Sequence, residues 1–380
     1  MTEKLYYKDA YIKEFDAEIL SSEKTDDGYD VILSATAFFP EEGGQASDRG
    51  YIANARVNHV YEKDGVIHHL TDLAPEAKAV HCILDFDERF EKMQCHTAEH
   101  ILCGFIHKLY GLSNVGFHLG DDEVTFDVDG VLTREQLDEV ESLANAAVFS
   151  NARIDTFFPT EDELKKLEYR SKLDFTEGVR IVKIADYDSC ACCAPHVACT
   201  GEVGLIKILD FMKHRGGTRI WMVAGKRALL DYRKKYENIK KISALTSTPQ
   251  HETADALEKY ITDSEQIKQE LKNCRLKLAE REGSAVPATK GNLVVNFSEF
   301  TIPELIAFSN VAVQKVDGIL VALSGSDGDY KYVISSKNTD LRTEIASINK
   351  TLSGRGGGKP NMVQGSFSVT LAEIESYFAN

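Results

Sequence analysis

Between residues 1 and 84, apolar positions come in short β-prone runs separated by turn residues, at 17–20, 29–33, 51–60, 65–69 and 79–84. That pattern predicts a small strand-rich unit with a barrel-like fold. From 89 to 110 the apolar spacing lengthens to that of a helix, with Phe90, Met93, Ile101, Phe105 and Leu109 available for a buried face. This helix carries His96 and His100. A strand begins at Val124, a polar helix follows over 133–149, strands are expected at 152–158 and 179–184, and a cysteine-rich loop precedes another strand at 219–223. Residues 226–282 read as helical with a break at Pro249. Within them Leu257, Tyr260, Ile267, Leu271, Cys274 and Leu278 alternate by three and four, interrupted by Ser264. Such a seam pairs two chains or docks on its own protein. The last 90 residues return to strand and helix patterns at 293–295, 305–311, 319–324 and 332–335, followed by a glycine-rich loop. The reading is α+β: a β-rich N-terminal barrel over 1–85, an α+β core over 86–225, a helical arm over 226–285 and a C-terminal α/β domain over 286–380.

A chain of 380 residues has room for two to four such units at roughly 100 to 200 residues each. Its 44 basic and 60 acidic residues give a net charge of −16, so the molecule as a whole repels polyanions and any nucleic-acid contact must be local. The stretch from Lys213 to Lys241 offers ten cations against Asp231 and Glu237; it is a phosphate-binding surface or a solvated helix face. The first residues lack the apolar core of a signal peptide, and no stretch reaches about 18 apolar residues. A cytoplasmic protein without membrane contact is expected. Four of the eight cysteines crowd into 190–199, which suits metal chemistry in a reducing compartment better than a disulfide framework.

In QCHTAEHILC, His96 and His100 stand four residues apart, so both imidazoles leave one face of a helix about one turn apart. In DSCACCAPHVACTGEVG, Cys192 precedes His196 by four residues in a turn-rich loop. Together they make a four-ligand set for tetrahedral zinc. Four protein ligands usually close a structural site, whereas catalysis needs a position open to water or substrate. Cys190 and Cys193 form a Cys-x-x-Cys pair that is structural, metal-binding or redox-active, and Cys199 has no assigned role. A metallopeptidase is disfavoured, because Thr97 stands where His-Glu-x-x-His needs its base. Glu99 is read as a solvent-facing helix charge.

HTAEH followed far downstream by Cys-x-x-x-His and TGEVG resembles the editing domain of alanyl-tRNA synthetase and its free-standing AlaX relatives. TAFFPEEGGQASDRG from Thr36, DERFEKMQCHTAEH and FHLGDDEVTFDVD from Phe117 are similar to further segments of that family, and GRGGGKPNMVQGSF from Gly354 resembles its DHH-associated C-terminal domain. Only a few dozen residues precede Thr36, so the long free-standing AlaX form is the nearest match. The family's Cys-Gly-Gly-Thr-His reads Cys192-Cys193-Ala194-Pro195-His196 here, and Glu42 replaces the first glycine of Gly-Gly-Gly-Gln. Pro195 also removes a backbone donor just before His196.

The resemblance implies a zinc-dependent aminoacyl-tRNA deacylase acting on alanine tRNA mischarged with serine or glycine. An alanine site excludes neither competitor well by size or by an added hydroxyl. It also implies that Thr36 contacts the serine hydroxyl. Gly43, Gly44 and Gln45 bring backbone and side-chain amides to the ribose or carbonyl, or form an ordinary hairpin turn. His118 and Asp127 are candidates for the same pocket, with Thr36, Gln45 and His118 as the catalytic set. Gly356, Gly357 and Gly358, flanked by Arg355 and Lys359, are a candidate tRNA-backbone contact or a flexible surface loop. The C-terminal domain is expected to bind the tRNA body, to dimerise, or both. Two other readings remain: a zinc-stabilised tRNA-binding adaptor without hydrolytic activity, and a dithiol protein using Cys190 and Cys193.

Overall fold

The computed structural model describes residues 2–121, 123–171 and 178–379. It is α+β and divides into two compact units, 1–239 and 240–380.

The first unit opens with β1 (Glu3–Lys4), β2 (Glu14–Thr25), β3 (Gly28–Leu33), β4 (Ala35–Thr36), β5 (Gly50–Ile52), β6 (Ala55–Lys63), β7 (Val66–Thr71) and β8 (Ala79–Leu84). β1 pairs in parallel with β4, and the other six close on themselves in the order β2-β3-β7-β6-β5-β8. Period-two alternation explains the closure: Val80, Cys82 and Leu84 of β8 and Ile67 and Thr71 of β7 point inward onto Val31, Leu33, Ile52 and Val60. The run expected over 51–60 is two strands, because Ala53 turns with φ 51° between them.

Helix α1 (Phe86–Tyr110) follows and ends at Gly111 in the left-handed conformation, φ 68°. Fifteen of its 25 residues are buried, so it is a central helix and not an amphipathic surface one. Met93 and Ile101 are fully buried as expected, but Leu109 is 44 % exposed where the last turn emerges. Around α1 lie β9 (Asn114–Leu119), β10 (Val124–Val128), α2 (Arg134–Phe149), β11 (Ile154–Phe157), α3 (Glu161–Leu164), β12 (Ile181–Ile184), β13 (Asp188–Ala191), β14 (Ile206–His214) and β15 (Gly217–Ala224). They build one sheet in the order β14-β15-β10-β9 and another in the order β11-β12-β13. α1 packs on α2, β9, β13 and β15. A capping box between Thr133 and Gln136 starts α2. Helix α4 (Gly225–Thr246) leaves this unit.

The second unit contains α5 (Thr253–Ala285), β16 (Leu293–Phe297), α6 (Ile302–Ala312), β17 (Ile319–Ser326), β18 (Asp329–Ser336), α7 (Leu341–Thr351), β19 (Gly354–Lys359), β20 (Met362–Phe367) and α8 (Leu371–Phe378). Its sheet runs β16-β17-β18-β20-β19. Leu320 and Ala322 of β17 face α6 and α5, while Val321 and Leu323 face α7 and α8. The glycine-rich segment expected to be a loop is instead edge strand β19, paired antiparallel with β20. Glycine is required there: a Cβ on Gly356 would stand 2.4 Å from the Tyr332 hydroxyl beneath the strand. Arg355 and Lys359 are exposed on it. Among the described residues no helix is long and apolar enough to cross a membrane.

Candidate metal centre

His96 and His100 come from the buried middle of α1, and Cys192 and His196 from the loop after β13. Their ligand atoms all lie within 4.8 Å of one another. Cys192 Sγ is 3.6 Å from His96 Nε2 and 3.4 Å from His196 Nε2. Zinc bonds of about 2.0–2.3 Å to nitrogen and sulfur place tetrahedral neighbours about 3.3–3.8 Å apart, so the spacing fits that ion.

The second nitrogen of each ring is committed elsewhere. His96 Nδ1 donates to Gln45 Oε1 (2.8 Å), His100 Nδ1 to Asp188 Oδ2 (3.1 Å) and His196 Nδ1 to Thr97 Oγ1 (3.0 Å). The acceptor-only oxygens of Gln45 and Asp188 fix tautomers of His96 and His100 whose Nε2 lone pairs face the common centre, and Thr97 accommodates the same tautomer of His196. Burial holds His196 neutral, with its pKa pushed down to about 3. Burial opposes ionisation of Cys192, but His96, His196 and His100 beside it outweigh that and hold its thiol well below the usual range. The donor set is therefore three imidazoles and one thiolate; at His100 burial opposes the charge, but the neighbouring Cys190, Asp188 and Cys192 outweigh it and hold the pKa well above its ordinary value. His100, Asp188 and Cys190 also cluster. There, however, Asp188 is occupied by Arg170, at 2.7 Å from Nε and 2.8 Å from Nη2, and acts as the orienting carboxylate.

Arg180 shapes the ligand loop. Its buried guanidinium donates from Nη1 to the carbonyls of Cys192 (2.9 Å) and Ala194 (2.8 Å), and Cys192 N–H donates to Arg180 O. These bonds hold the turn that carries Pro195 and His196. All eight cysteines are free. Burial pushes Cys190 up to about 11 and also raises Cys193, so neither is prepared as a redox thiolate.

Glu42–Gln45 is a two-residue hairpin with Gly43 at φ 63° and Gly44 at φ 83°. A Cβ on Gly44 would stand 2.2 Å from Phe117 O. This close approach to β9 is what delivers Gln45 to His96. Gln45 is fully buried, and its Nε2 has no hydrogen-bond partner among the described residues. Phe117 packs on the His96 ring, centroids 4.6 Å apart.

Two residues expected in the same pocket lie on a different face. His118 and Asp127 sit on the face of the β9–β10 ladder opposite Phe117, since neighbouring strand residues point to opposite sides. His118 is exposed, and Asp127 is paired with Arg219, two bonds of 2.8 Å. Glu99 corrects the expectation of a solvent-facing charge. It is 3 % exposed, accepts from the Cys103 thiol (3.1 Å) and from Asn114 Nδ2, and lines the cavity, because α1 has no solvent face there.

Thr36 is fully buried and belongs to a separate pair. His69 Nδ1 donates to Val31 O (2.9 Å), so its Nε2 accepts the Thr36 hydroxyl proton (2.9 Å), and Phe38 N–H donates to Thr36 Oγ1 (3.1 Å). Burial lowers the His69 pKa to about 4. The unfolded chain takes up this proton near pH 6.5 and the folded chain only near 4. The His69 contribution to stability is therefore complete above about 6.5 and lost as pH falls toward 4, by roughly 3 kcal/mol. Urea midpoints at pH 7.5 and 4.5 should show a smaller acid loss for His69→Gln than for the parent; equal losses would remove His69 as the cause.

A cavity of about 1240 Å³ opens on the centre. His96, Glu99, His100, Cys192, Cys193 and Gly43 line its inner wall.

Residues 179–224 match the family described as threonyl and alanyl tRNA synthetase second additional domain. Over 98 % of its length the chain is 30 % identical to alanyl-tRNA editing protein AlaX-L of Pyrococcus horikoshii, of which it covers 96 %. It is 29 % identical to the alanine-tRNA ligase of Ignicoccus hospitalis over 95 % of this chain and 40 % of the ligase. For the Pyrococcus furiosus ligase the values are 28 %, 96 % and 42 %. The chain thus spans less than half the length of these ligases. The C-Ala domain of Aquifex aeolicus alanyl-tRNA synthetase aligns with 23 % of this chain and 87 % of its own, at 18 % identity and a TM-score of 0.21.

Proposed function

Because the chain belongs to the AlaX-L family of alanyl-tRNA editing proteins, we propose that it hydrolyses the ester of alanine tRNA mischarged with serine or glycine. The observation that carries the reading is the convergence of three oriented imidazoles and a thiolate, of which His96, His100 and Cys192 line a large cavity. His96, His100, Cys192 and His196 would hold zinc, and when bound it supplies a Lewis acid for an ester carbonyl or a water. The chain's own residues do the rest. Gln45 orients His96 and keeps both N–H donors of its amide, unpartnered among the described residues, for a substrate oxygen. Gly43 leaves the wall open beside Cys193. Thr36 is proposed to read the serine hydroxyl through the oxygen lone pair that His69 and Phe38 leave unused, with the substrate side chain reaching past the residues that line the cavity to a hydroxyl that is buried without it.

In this proposal residues 1–85 and 86–225 form the hydrolytic half, 226–285 connect, and 286–380 engage the tRNA body, with Arg355 and Lys359 on phosphate. Tyr260, Ile267 and Leu271 are 71 %, 64 % and 60 % exposed on α5 and are proposed to pair two copies. Light scattering should give a dimer mass for the parent and a monomer mass for an Ile267→Lys, Leu271→Lys variant; a parent monomer at micromolar concentration would end that idea.

The deciding experiment is deacylation of alanine tRNA carrying serine, glycine or alanine by zinc-loaded protein. Release of serine or glycine with alanine spared is expected. No hydrolysis of any of the three would leave the zinc-stabilised tRNA-binding adaptor as the reading.

A further inference from the structure

The cavity at the metal ligands has two unlike ends. One is aromatic. Tyr7 and Phe158 meet edge to face there, ring centroids 5.4 Å apart and planes at 76°. Arg180 lies 5.4 Å from the Tyr7 centroid while its guanidinium braces the ligand loop, which fixes the Tyr7 ring. Tyr7, Cys192 and Cys193 all pack on the small buried cluster of Tyr6, Phe39 and Ala194 and all line the cavity, so this end lies beside a metal ligand. Phe158 is 52 % exposed, a large apolar ring kept at the cavity wall. Along and past β12, away from Arg180, the lining is polar and carries Lys183, and Lys108, whose ammonium donates to Asp186 O.

An aminoacyl ester on a tRNA sits on the 2′ or 3′ oxygen of the terminal ribose. From that ribose the base departs at C1′ and the 5′-phosphate on the opposite side of the ring. A ribose whose ester reaches the ligands therefore sends its base toward one end of the cavity and its phosphate toward the other. Cations suit phosphate, and aromatic faces suit a base whatever its hydrogen-bonding edge. We propose that Tyr7 and Phe158 form the stacking shelf for the terminal adenine, with the 5′-phosphate at the Lys108–Lys183 end. The inference rests on the deacylase reading, because only an ester-bearing nucleoside must lie across the ligands in this way.

The shelf is tested by binding, independently of turnover. The probe is 3′-deoxy-3′-(L-serylamino)adenosine, whose amide replaces the labile ester, titrated calorimetrically into zinc-loaded protein. Phe158→Ala is the main variant, since a half-exposed ring can be removed with little risk to folding, and thermal melting checks that. Losing a stacking ring typically weakens binding roughly ten- to a hundredfold. We expect that loss in Phe158→Ala, recovery in Phe158→Tyr, and weak binding of the abasic analogue that Phe158→Ala leaves unchanged. No binding of the adenosine probe by the parent, equal binding by Phe158→Ala, or equal binding of the abasic probe would each overturn the shelf. Hydrolysis of serylated tRNA is measured alongside. If turnover is absent but the binding pattern holds, the deacylase reading fails and the nucleoside site stands; if turnover is present and the pattern is absent, only the shelf fails.

Discussion

Replacing His196 by alanine should abolish stoichiometric zinc binding and slow hydrolysis of serylated alanine tRNA by about a thousandfold, the equivalent of several kcal/mol of transition-state stabilisation. The argument starts from the geometry of the other three ligands. With His196 gone, His96, His100 and Cys192 keep their places, but the thiolate loses one of the imidazoles that lower its pKa, and burial then favours the thiol. Asp188→Asn should behave differently. All four ligands remain, yet the amide no longer offers His100 Nδ1 a charged acceptor and leaves Arg170 without its counter-charge. Loss of such an outer partner typically costs about 10- to 100-fold in metal affinity. Competition with a chromophoric chelator should therefore rank the parent above Asp188→Asn and both above His196→Ala. Excess zinc should restore activity to the Asp188 variant alone. Parent-like zinc affinity in Asp188→Asn, at unchanged melting temperature, would refute the orienting role.

The contrast between ligands and orienting residues explains what was legible in the sequence. Both ligand pairs are separated by four residues, and a helix turn or a short loop converts that spacing into proximity without help from the rest of the fold. Gln45, Thr97 and Asp188 reach their histidines across 51, 99 and 88 positions. No local pattern announces such pairs. Glu99 departs from its sequence expectation for a related reason: helical periodicity assigns a wet face, but α1 is enclosed by α2, β9, β13 and β15 and has almost none at its centre. The segment GRGGGK shows tertiary context overriding propensity, since pairing with β20 over the Tyr332 hydroxyl makes a strand from residues that individually disfavour one. His118 and Asp127 show the reverse hazard. A segment resembling a functional one carries alternate residues to opposite faces, and Phe117, on the face away from His118 and Asp127, is the residue that packs on the His96 ring.

Arg89→Met should lower the stability of the first unit by about 3–5 kcal/mol, the usual cost of removing one partner of a buried ion pair. Arg89 and Asp48 are 1 % and 2 % exposed. Arg89 Nε donates to Asp48 Oδ2 at 2.8 Å and its Nη2 to the same oxygen; Nη1 and Nη2 also reach Ala10 O (3.1 Å) and Ala37 O (2.5 Å). Asp48 Oδ2 accepts from Phe39 N–H at 2.6 Å as well. One guanidinium thus ties the N-terminal segment, the chain after β4 and the end of the glycine hairpin to the first turns of α1. Methionine fills much of the volume but leaves a buried carboxylate with no cation and two carbonyls without donors, which is why the loss exceeds that of an exposed pair. A fall in melting temperature on the order of 10 °C is expected for a unit of this size. Asp48→Asn should cost less, because the amide oxygen still accepts from Phe39. The double variant should lose less than the sum of the two, since the uncompensated charge is then absent. The clamp also has a functional reach. Asp48 closes the segment that presents Gln45 to His96, so Arg89→Met should weaken zinc binding although Arg89 is not a ligand. A melting temperature within about 2 °C of the parent, with zinc affinity intact, would mean that packing alone holds the hairpin on α1.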